Sequence, residues 1–227
     1  MSGPRAEAGG GLRGRVVASW RRTLAWVAAV TPGTAVLVLA IVAVAPALAV
    51  RGLVATRAAG DSPFLLVRVH EYAAALGAGQ FPVRWMPDAA YGLGLPFWVF
   101  YAPLAYAVAA VMVLAGASVV GAIKVTTLGA FVVAALGAYR LGVRHWGAPS
   151  AGVLAAAAYT FAPYHMVNLY VRGDALAETV AYAILPWVLV TMDRARDRRS
   201  PGAVAALAAA VAALLVSHNV SALLAAP

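Results

Sequence analysis

The chain has 227 residues, of which 63% are hydrophobic and only 11% are charged. Soluble globular domains carry about 25% charged residues, so the composition excludes an ordinary soluble domain and predicts an all-α, polytopic transmembrane helical bundle. The chain has no cysteine, which excludes disulfides and thiolate metal sites, and its net charge is +9. The basic residues stand in short runs between apolar stretches, a pattern that favours contact with anionic lipid and argues against nucleic acid.

Residues 1–33 form a basic N-terminal segment that is typical of the cytoplasmic side of a membrane protein. It carries five arginines, at positions 5, 13, 15, 21 and 22. Residues 34–50 then form the first predicted span. Ala47-Leu48-Ala49 resembles a signal-peptidase site, but the further apolar stretches favour an uncleaved anchor.

Residues 51–97 are the most polar part of the chain, and we predict a large loop of short elements there, with a brief amphipathic helix at 67–76. Five apolar stretches follow, at 97–117, 119–139, 151–162, 179–192 and from 201 to the end. We therefore predict a transmembrane domain over 34–227. Because the chain stops inside an apolar stretch, we expect this domain to be incomplete at its C-terminus.

The distribution of the 17 lysines and arginines predicts the topology. If every apolar stretch crosses the membrane, the cytoplasmic side holds seven of them and the outer side ten, against the positive-inside rule. If 97–117 stays on the outer side instead, the cytoplasm holds eleven. This second topology places the loop 51–97, residues 163–178 and His218-Asn219 together on the outer side of the membrane.

The first group of candidate site residues lies in the outer loop and comprises Asp61, Arg68 and Glu71. A carboxylate at position 61 can act as a general base or help to hold a divalent cation. It can equally be a turn or helix-cap residue. Arg68 and Glu71 are i,i+3 neighbours on the predicted helix, so we expect them to pair with each other.

The second group is the aromatic run over residues 79–104, or aromatic loop, which includes Arg84, Trp85, Tyr91 and Tyr101. Its glycines and prolines set sharp turns, and its aromatic rings suit the headgroup level of a membrane. Two interpretations stay open. The run can be a belt that holds the loop on the bilayer surface, or a platform where Arg84 receives a lipid phosphate or a sugar.

The third group comprises Arg172, Asp174 and Glu178. The two acids fall in the first turn of the next predicted helix, where capping alone would explain them. Arg172 beside them can bind a phosphate with two parallel hydrogen bonds. His218 and Asn219 interrupt an apolar stretch, either as site residues or as partners in hydrogen bonds between helices.

Three segments of the chain carry a family resemblance: GQFPVRWMPDAAYGLGLPFWVFYAPLAY, APSAGVLAAAAYTFAPYHMVNLYVRGDALAE and the final SHN. They resemble a bacterial membrane family labelled 6-pyruvoyl-tetrahydropterin-synthase-related. Members resemble YfhO-like, GT-C-type glycosyltransferases. The resemblance covers roughly 61–219 and implies transfer of a sugar from a polyprenyl-phosphate-linked donor at the outer face of the bacterial cell (inner) membrane. It maps an acidic loop residue onto Asp61 and matches Arg68 and Glu71, whereas a frequent family histidine falls on Leu65.

Under this hypothesis Asp61 is the base, and Arg172 with Arg84 stabilises the departing lipid phosphate. Asp174 or Glu178 contacts the sugar or a metal, and the aromatic loop binds the lipid. The alternative is a non-enzymatic membrane protein, either a transporter segment or an assembly partner. Acids gathered at one surface, without an internal repeat, favour the enzyme. The sequence leaves the metal requirement and the oligomeric state open.

Overall fold

A computed structural model describes residues 15–17, 30–54, 62–173 and 175–225. Within these residues the chain is all-α, as predicted, and its single extended pairing is an antiparallel bridge between Met86 and Leu95. Besides a helical turn at 15–17, the described helices are α1 Pro32–Ala49, α2 Ser62–Gly77, α3 Ala89–Gly92, α4 Phe97–Phe100, α5 Leu104–Leu114, α6 Val119–Trp146, α7 Pro149–Thr160, α8 Pro163–Tyr170, α9 Leu176–Arg198, α10 Pro201–Leu215 and α11 Asn219–Ala225.

Three of the described helices, α1, α6 and α9, are long and apolar enough to cross a membrane. At 1.5 Å per residue the 28 residues of α6 span about 42 Å, more than the roughly 30 Å of a bilayer core. The first predicted span, 34–50, agrees with α1 to within two residues at each end. The prediction of a helical membrane protein is therefore confirmed.

One apolar stretch of the sequence is divided at a proline, and another ends just before one. The apolar stretch 97–117 is broken at Pro103, and its longer half, α5, has 11 residues, or about 16 Å, which is too short to cross a bilayer core. The stretch 151–162 likewise ends as helix α7 at Thr160, because Pro163 begins α8 at a position where a missing N–H costs no hydrogen bond. The last stretch is interrupted at 216–218, between α10 and α11.

Helix α6 is the centre of the bundle, and α1, α7 and α9 pack around it. At one end Lys124 donates to the carbonyl oxygens of Leu48 and Val50, at 3.0 and 2.6 Å, so the start of α6 meets the end of α1. At the other end Arg144 pairs with Asp193 at 3.2 Å, so the ends of α6 and α9 meet. Helix α1 therefore runs antiparallel to α6, and α9 runs parallel to it.

We call the two ends of the bundle the Lys124 end and the Asp193 end. Helices α2 and α5 pack on the Lys124 end, where Leu65 and Tyr106 are buried in one cluster with Ile123 of α6 and Leu176 of α9. The Ser62 hydroxyl donates to Gly173 O, at 3.0 Å, and so ties the start of α2 to the chain that leads into α9. This packing brings four distant parts of the sequence around one pocket.

Candidate functional site

A small pocket opens at the Lys124 end, between α2, α5 and the start of α9. Its wall combines basic, acidic and aromatic side chains with a few apolar ones. The lining residues are Leu65, Arg68, Tyr101, Tyr106, Arg172, Ala175, Leu176, Ala177, Glu178 and His218. Five of the predicted site residues, Arg68, Tyr101, Arg172, Glu178 and His218, therefore meet here although they are up to 150 positions apart in the sequence.

Arg172 and Glu178 form an ion pair at the N-terminal end of α9. The same Arg172 nitrogen also donates to the Asn168 side-chain oxygen, at 3.0 Å, across one turn of chain. The Glu178 side chain is only 8% exposed, whereas that of Arg172 is 44% exposed. The acid thus lies inside the protein and holds a guanidinium that still faces the pocket.

Two tyrosines occupy the other oxygen of Glu178. Tyr164 and Tyr182 each donate a hydroxyl hydrogen to Oε1, at 2.8 and 2.7 Å, while Arg172 binds Oε2. Hydrogen bonds of this kind favour the ionised carboxylate. A carboxylate whose two oxygens are both hydrogen bonded is poorly placed to accept a proton from a substrate. Glu178 is therefore suited to be a positioning residue that orients Arg172.

Arg68 does not pair with Glu71, and the predicted i,i+3 ion pair is wrong. Its guanidinium carbon instead lies 4.8 Å from the Phe97 ring centre and 5.3 Å from that of Tyr101. One of its nitrogens also donates to the Tyr106 hydroxyl, at 3.4 Å. The aromatic run attracts the cation from α2, because a guanidinium stacks favourably on ring faces.

Glu71 is 3% exposed and lies apart from the pocket lining. Its Oε2 accepts a hydrogen bond from the backbone N–H of Asp88, at 3.1 Å. The side chain therefore anchors the aromatic loop to α2. Arg68 and Glu71 therefore do not pair with each other, because each contacts a segment that is distant in sequence.

His218 lies in the break between α10 and α11 and lines the pocket opposite Glu178. Its Nδ1 is 2.8 Å from the Ser221 hydroxyl oxygen, and its ring is edge-on to Tyr101 at 6.4 Å between centres. Burial lowers the pKa of His218, Glu178 opposes that change and Arg172 adds to it. The lowered pKa favours the neutral imidazole, in which one ring nitrogen donates and the other accepts a hydrogen bond.

Besides Glu71, four predicted binding residues lie outside the pocket lining. Asn219 donates through its side-chain nitrogen to Phe100 O, at 2.8 Å, and so fixes the chain just before Tyr101. Arg84, Trp85 and Tyr91 are exposed on the aromatic loop. The Gln80 side chain accepts hydrogen bonds from the backbone N–H groups of Arg84 and Trp85, which fixes the turn of the loop at these residues. The structure thus does not bring Arg84 together with Arg172.

Asp61 and Asp174 lie outside the described residues, so their predicted roles stay predictions. The residues beside them in the chain, Ser62 and Gly173, are hydrogen bonded to each other at 3.0 Å. In the part of the chain that the structure describes, no group of three or more histidines and acids could hold a metal ion. The predicted metal contact of Asp174 or Glu178 is therefore also still a prediction.

Sequence reasoning missed Tyr106, Tyr182 and Asn168, and it did not assign Tyr164 a role. Two of these contacts could have been predicted from helical spacing, because Tyr182 is four residues after Glu178 and Asn168 is four residues before Arg172. Tyr106 had no such signal, since its contact with Arg68 crosses 38 positions.

The pocket is suited to an anion that is attached to something apolar. Two arginines face a single acid among the described lining residues, which leaves the lining net positive. Arginine offers the donor geometry that matches phosphate. Leu65 is fully buried in the pocket wall, so the position where the resembling family often has a histidine is apolar here.

The sequence pattern of a protein family described as "6-pyruvoyl-tetrahydropterin synthase related domain; membrane protein" matches residues 98–226, more than half of the chain. The matched range includes Tyr101, Arg172, Glu178, His218 and Asn219, and it begins after Asp61, Arg68 and Glu71. No curated protein and no solved structure matches the chain.

Proposed function

This chain belongs to the 6-pyruvoyl-tetrahydropterin synthase related family of membrane proteins, and from that premise we propose that it is a membrane glycosyltransferase of the GT-C type. It moves a sugar from a polyprenyl-phosphate-linked donor to an acceptor hydroxyl. The reaction takes place at the outer face of the bacterial cell membrane, and the N-terminus is cytoplasmic.

The observation that carries the proposal is the pair of arginines in the lining of one pocket at an end of the helical bundle. Arg172 is oriented by Glu178, and Arg68 is stacked against Phe97 and Tyr101. Fixed guanidinium groups match the charge and the oxygen geometry of a phosphate. The aromatic rings beside them suit the apolar part of a lipid-linked donor, as well as a sugar face.

The base is assigned to Asp61. Glu178 in the pocket lining and Glu71 on α2 already have structural partners, because Glu178 holds Arg172 and Glu71 holds the N–H of Asp88. Asp61 is the acid that the family resemblance assigns to this loop. Ser62, the next residue in the chain, donates a hydrogen bond to Gly173 O, at 3.0 Å, and Gly173 directly follows Arg172 of the pocket lining.

In the transfer step the acceptor hydroxyl gives its proton to the Asp61 carboxylate, and the acceptor oxygen forms the new bond to the anomeric carbon. The bond between that carbon and the phosphate oxygen breaks, and its electron pair leaves with the polyprenyl phosphate. Arg172 and Arg68 stabilise the negative charge that develops on the departing phosphate. Attack from the side opposite the phosphate inverts the anomeric configuration.

The test is sugar transfer by the protein in membranes, with a panel of polyprenyl-phosphate sugars. We expect activity in the natural sequence, its loss in Asp61→Asn and a strong reduction in Arg172→Lys. Arg84→Lys is the matched control, because Arg84 is exposed and lies outside the pocket lining. Inactivity of the well-inserted natural protein with every donor would contradict the proposal and favour a non-catalytic role.

A further inference from the structure

The aromatic loop carries an unusual number of exposed apolar side chains. Phe81 is 85% exposed, Tyr91 fully exposed, Leu93 82% and Phe100 75%. From residue 89 to residue 100 no side chain is charged. Single exposed apolar residues are common on proteins, but several large ones on one loop indicate a surface that is covered by something apolar.

These side chains stand on a braced framework. Met86 and Leu95 exchange two backbone hydrogen bonds, at 2.8 and 3.0 Å, and so close the loop. Glu71 holds the backbone of Asp88 from α2, at 3.1 Å. A braced loop cannot fold its apolar tip inward, so the exposure of Tyr91 and Leu93 is a property of the fold.

The backbone at the loop tip adopts a conformation that is unfavourable for residues with a side chain. Ala90 and Tyr91 both have left-handed conformations, with φ of 53° and 60°. Residues with a Cβ rarely adopt this region, because the side chain approaches the following carbonyl. The turn directs Tyr91 outward, whereas Val83 and Met86 of the same loop are buried against α2 and its neighbours.

We infer that this apolar surface, defined by Phe81, Tyr91, Leu93 and Phe100, inserts into the boundary between lipid headgroups and acyl chains. The chain belongs to a membrane family, and the loop packs at the Lys124 end of the bundle, where the end of α1 meets the start of α6. Tyrosine suits this layer because its ring enters the apolar region while its hydroxyl stays hydrated. The occupant is thus the bilayer itself.

Insertion has a consequence for the pocket. Phe100, on the inserted surface, directly precedes Tyr101, which lines the pocket and contacts Arg68. The Asn219 side chain fixes Phe100 O at 2.8 Å, so the two regions keep one geometry. The pocket then opens at the lipid boundary, where a lipid-borne ligand can enter sideways. This consequence rests on the proposed function, whereas the insertion does not.

The absence of cysteine from the chain makes site-directed spin labelling direct. Single cysteines at Tyr91, Leu93 and Phe100 are labelled in the full chain, reconstituted in phosphatidylcholine–phosphatidylglycerol vesicles without any substrate. Ile41, exposed on the span α1, is the reference for lipid, and Arg196, 78% exposed beyond the apolar part of α9, is the reference for water. Each protein is first shown to keep its helical circular dichroism.

We expect oxygen to relax the three loop labels more strongly than a water-soluble nickel chelate does, with a ratio between those of the two references and closer to lipid. A ratio equal to that of the aqueous reference would overturn the inference. Protection of the labels from both reagents would also overturn it, because it would show a protein partner on this surface. Since no sugar donor is present, a failure of the proposed transfer reaction would leave this measurement unaffected.

Discussion

Replacing Glu178 with glutamine tests the ion pair that orients Arg172. The substitution keeps the shape of the side chain and removes its charge. It also places an NH₂ group where one oxygen accepted either from Arg172 or from the two hydroxyls of Tyr164 and Tyr182. The variant therefore loses at least one charge-assisted hydrogen bond and cannot satisfy all three donors with its single oxygen.

The expected loss follows from this geometry. Hydrogen bonds to charged groups contribute about 1.5 to 3 kcal/mol each to stability. Because the Arg172 side chain is 44% exposed and thus partly screened by solvent, we expect a decrease of about 1 to 2 kcal/mol in the free energy of unfolding. We also expect a roughly tenfold weaker affinity for polyprenyl phosphate, since each factor of ten corresponds to about 1.4 kcal/mol.

Both quantities are measurable on the purified protein, the first by unfolding in dodecyl sulfate and the second by titration with a polyprenyl monophosphate in nanodiscs. Asp193→Asn is the matched control. Asp193 is similarly buried and pairs with Arg144 at 3.2 Å, but at the opposite end of the bundle. It should lower stability and leave affinity unchanged. Equal affinities for Glu178→Gln and the natural sequence would refute the assigned role of Glu178.

Three further predictions concern the pocket and the bundle. Arg68→Lys should weaken polyprenyl phosphate binding in the same titration, because lysine loses the planar stacking on the aromatic rings. Burial lowers the pKa of His218, so below about pH 6.5 the unfolded chain binds more protons than the folded one. The free energy of unfolding should therefore decrease as the pH is lowered from about 7.5 to about 5, and it should decrease less in His218→Gln, as unfolding curves at the two pH values would show. Gly152→Ala should destabilise the bundle in dodecyl sulfate, since its Cβ would lie 2.7 Å from the Tyr139 ring, whereas Gly129→Ala, with open space, should be neutral or stabilising.

The apolar stretches predicted the positions of the helices well. A helix that crosses a bilayer must be long and uncharged, and both properties can be seen directly in the sequence. The predicted span 179–192 is the apolar centre of α9, and the predicted helix 67–76 lies within α2. The ends were less predictable. Helix α9 continues to Arg198 because Arg144 neutralises Asp193 and contacts Asp197 from α6, contacts that no local pattern contains.

The candidate site was predictable in its residue types and unpredictable in its pairings. Arg172, Glu178 and His218 stood out because charged or polar groups are rare in so apolar a chain. Their partners depend on tertiary packing. Arg68 shows this most clearly: its neighbour Glu71 was the obvious local partner, yet aromatic rings about 30 residues away outcompete it.

The most direct test of the central claim is whether the pocket binds the phosphate of a polyprenyl lipid. The measurement is the affinity of the purified chain in nanodiscs for a polyprenyl monophosphate, compared between Arg172→Gln and the exposed control Arg84→Gln. We predict binding by the natural sequence that is at least tenfold weaker in Arg172→Gln and unchanged in Arg84→Gln. Equal affinity in all three proteins, or no binding by any of them, would contradict the claim.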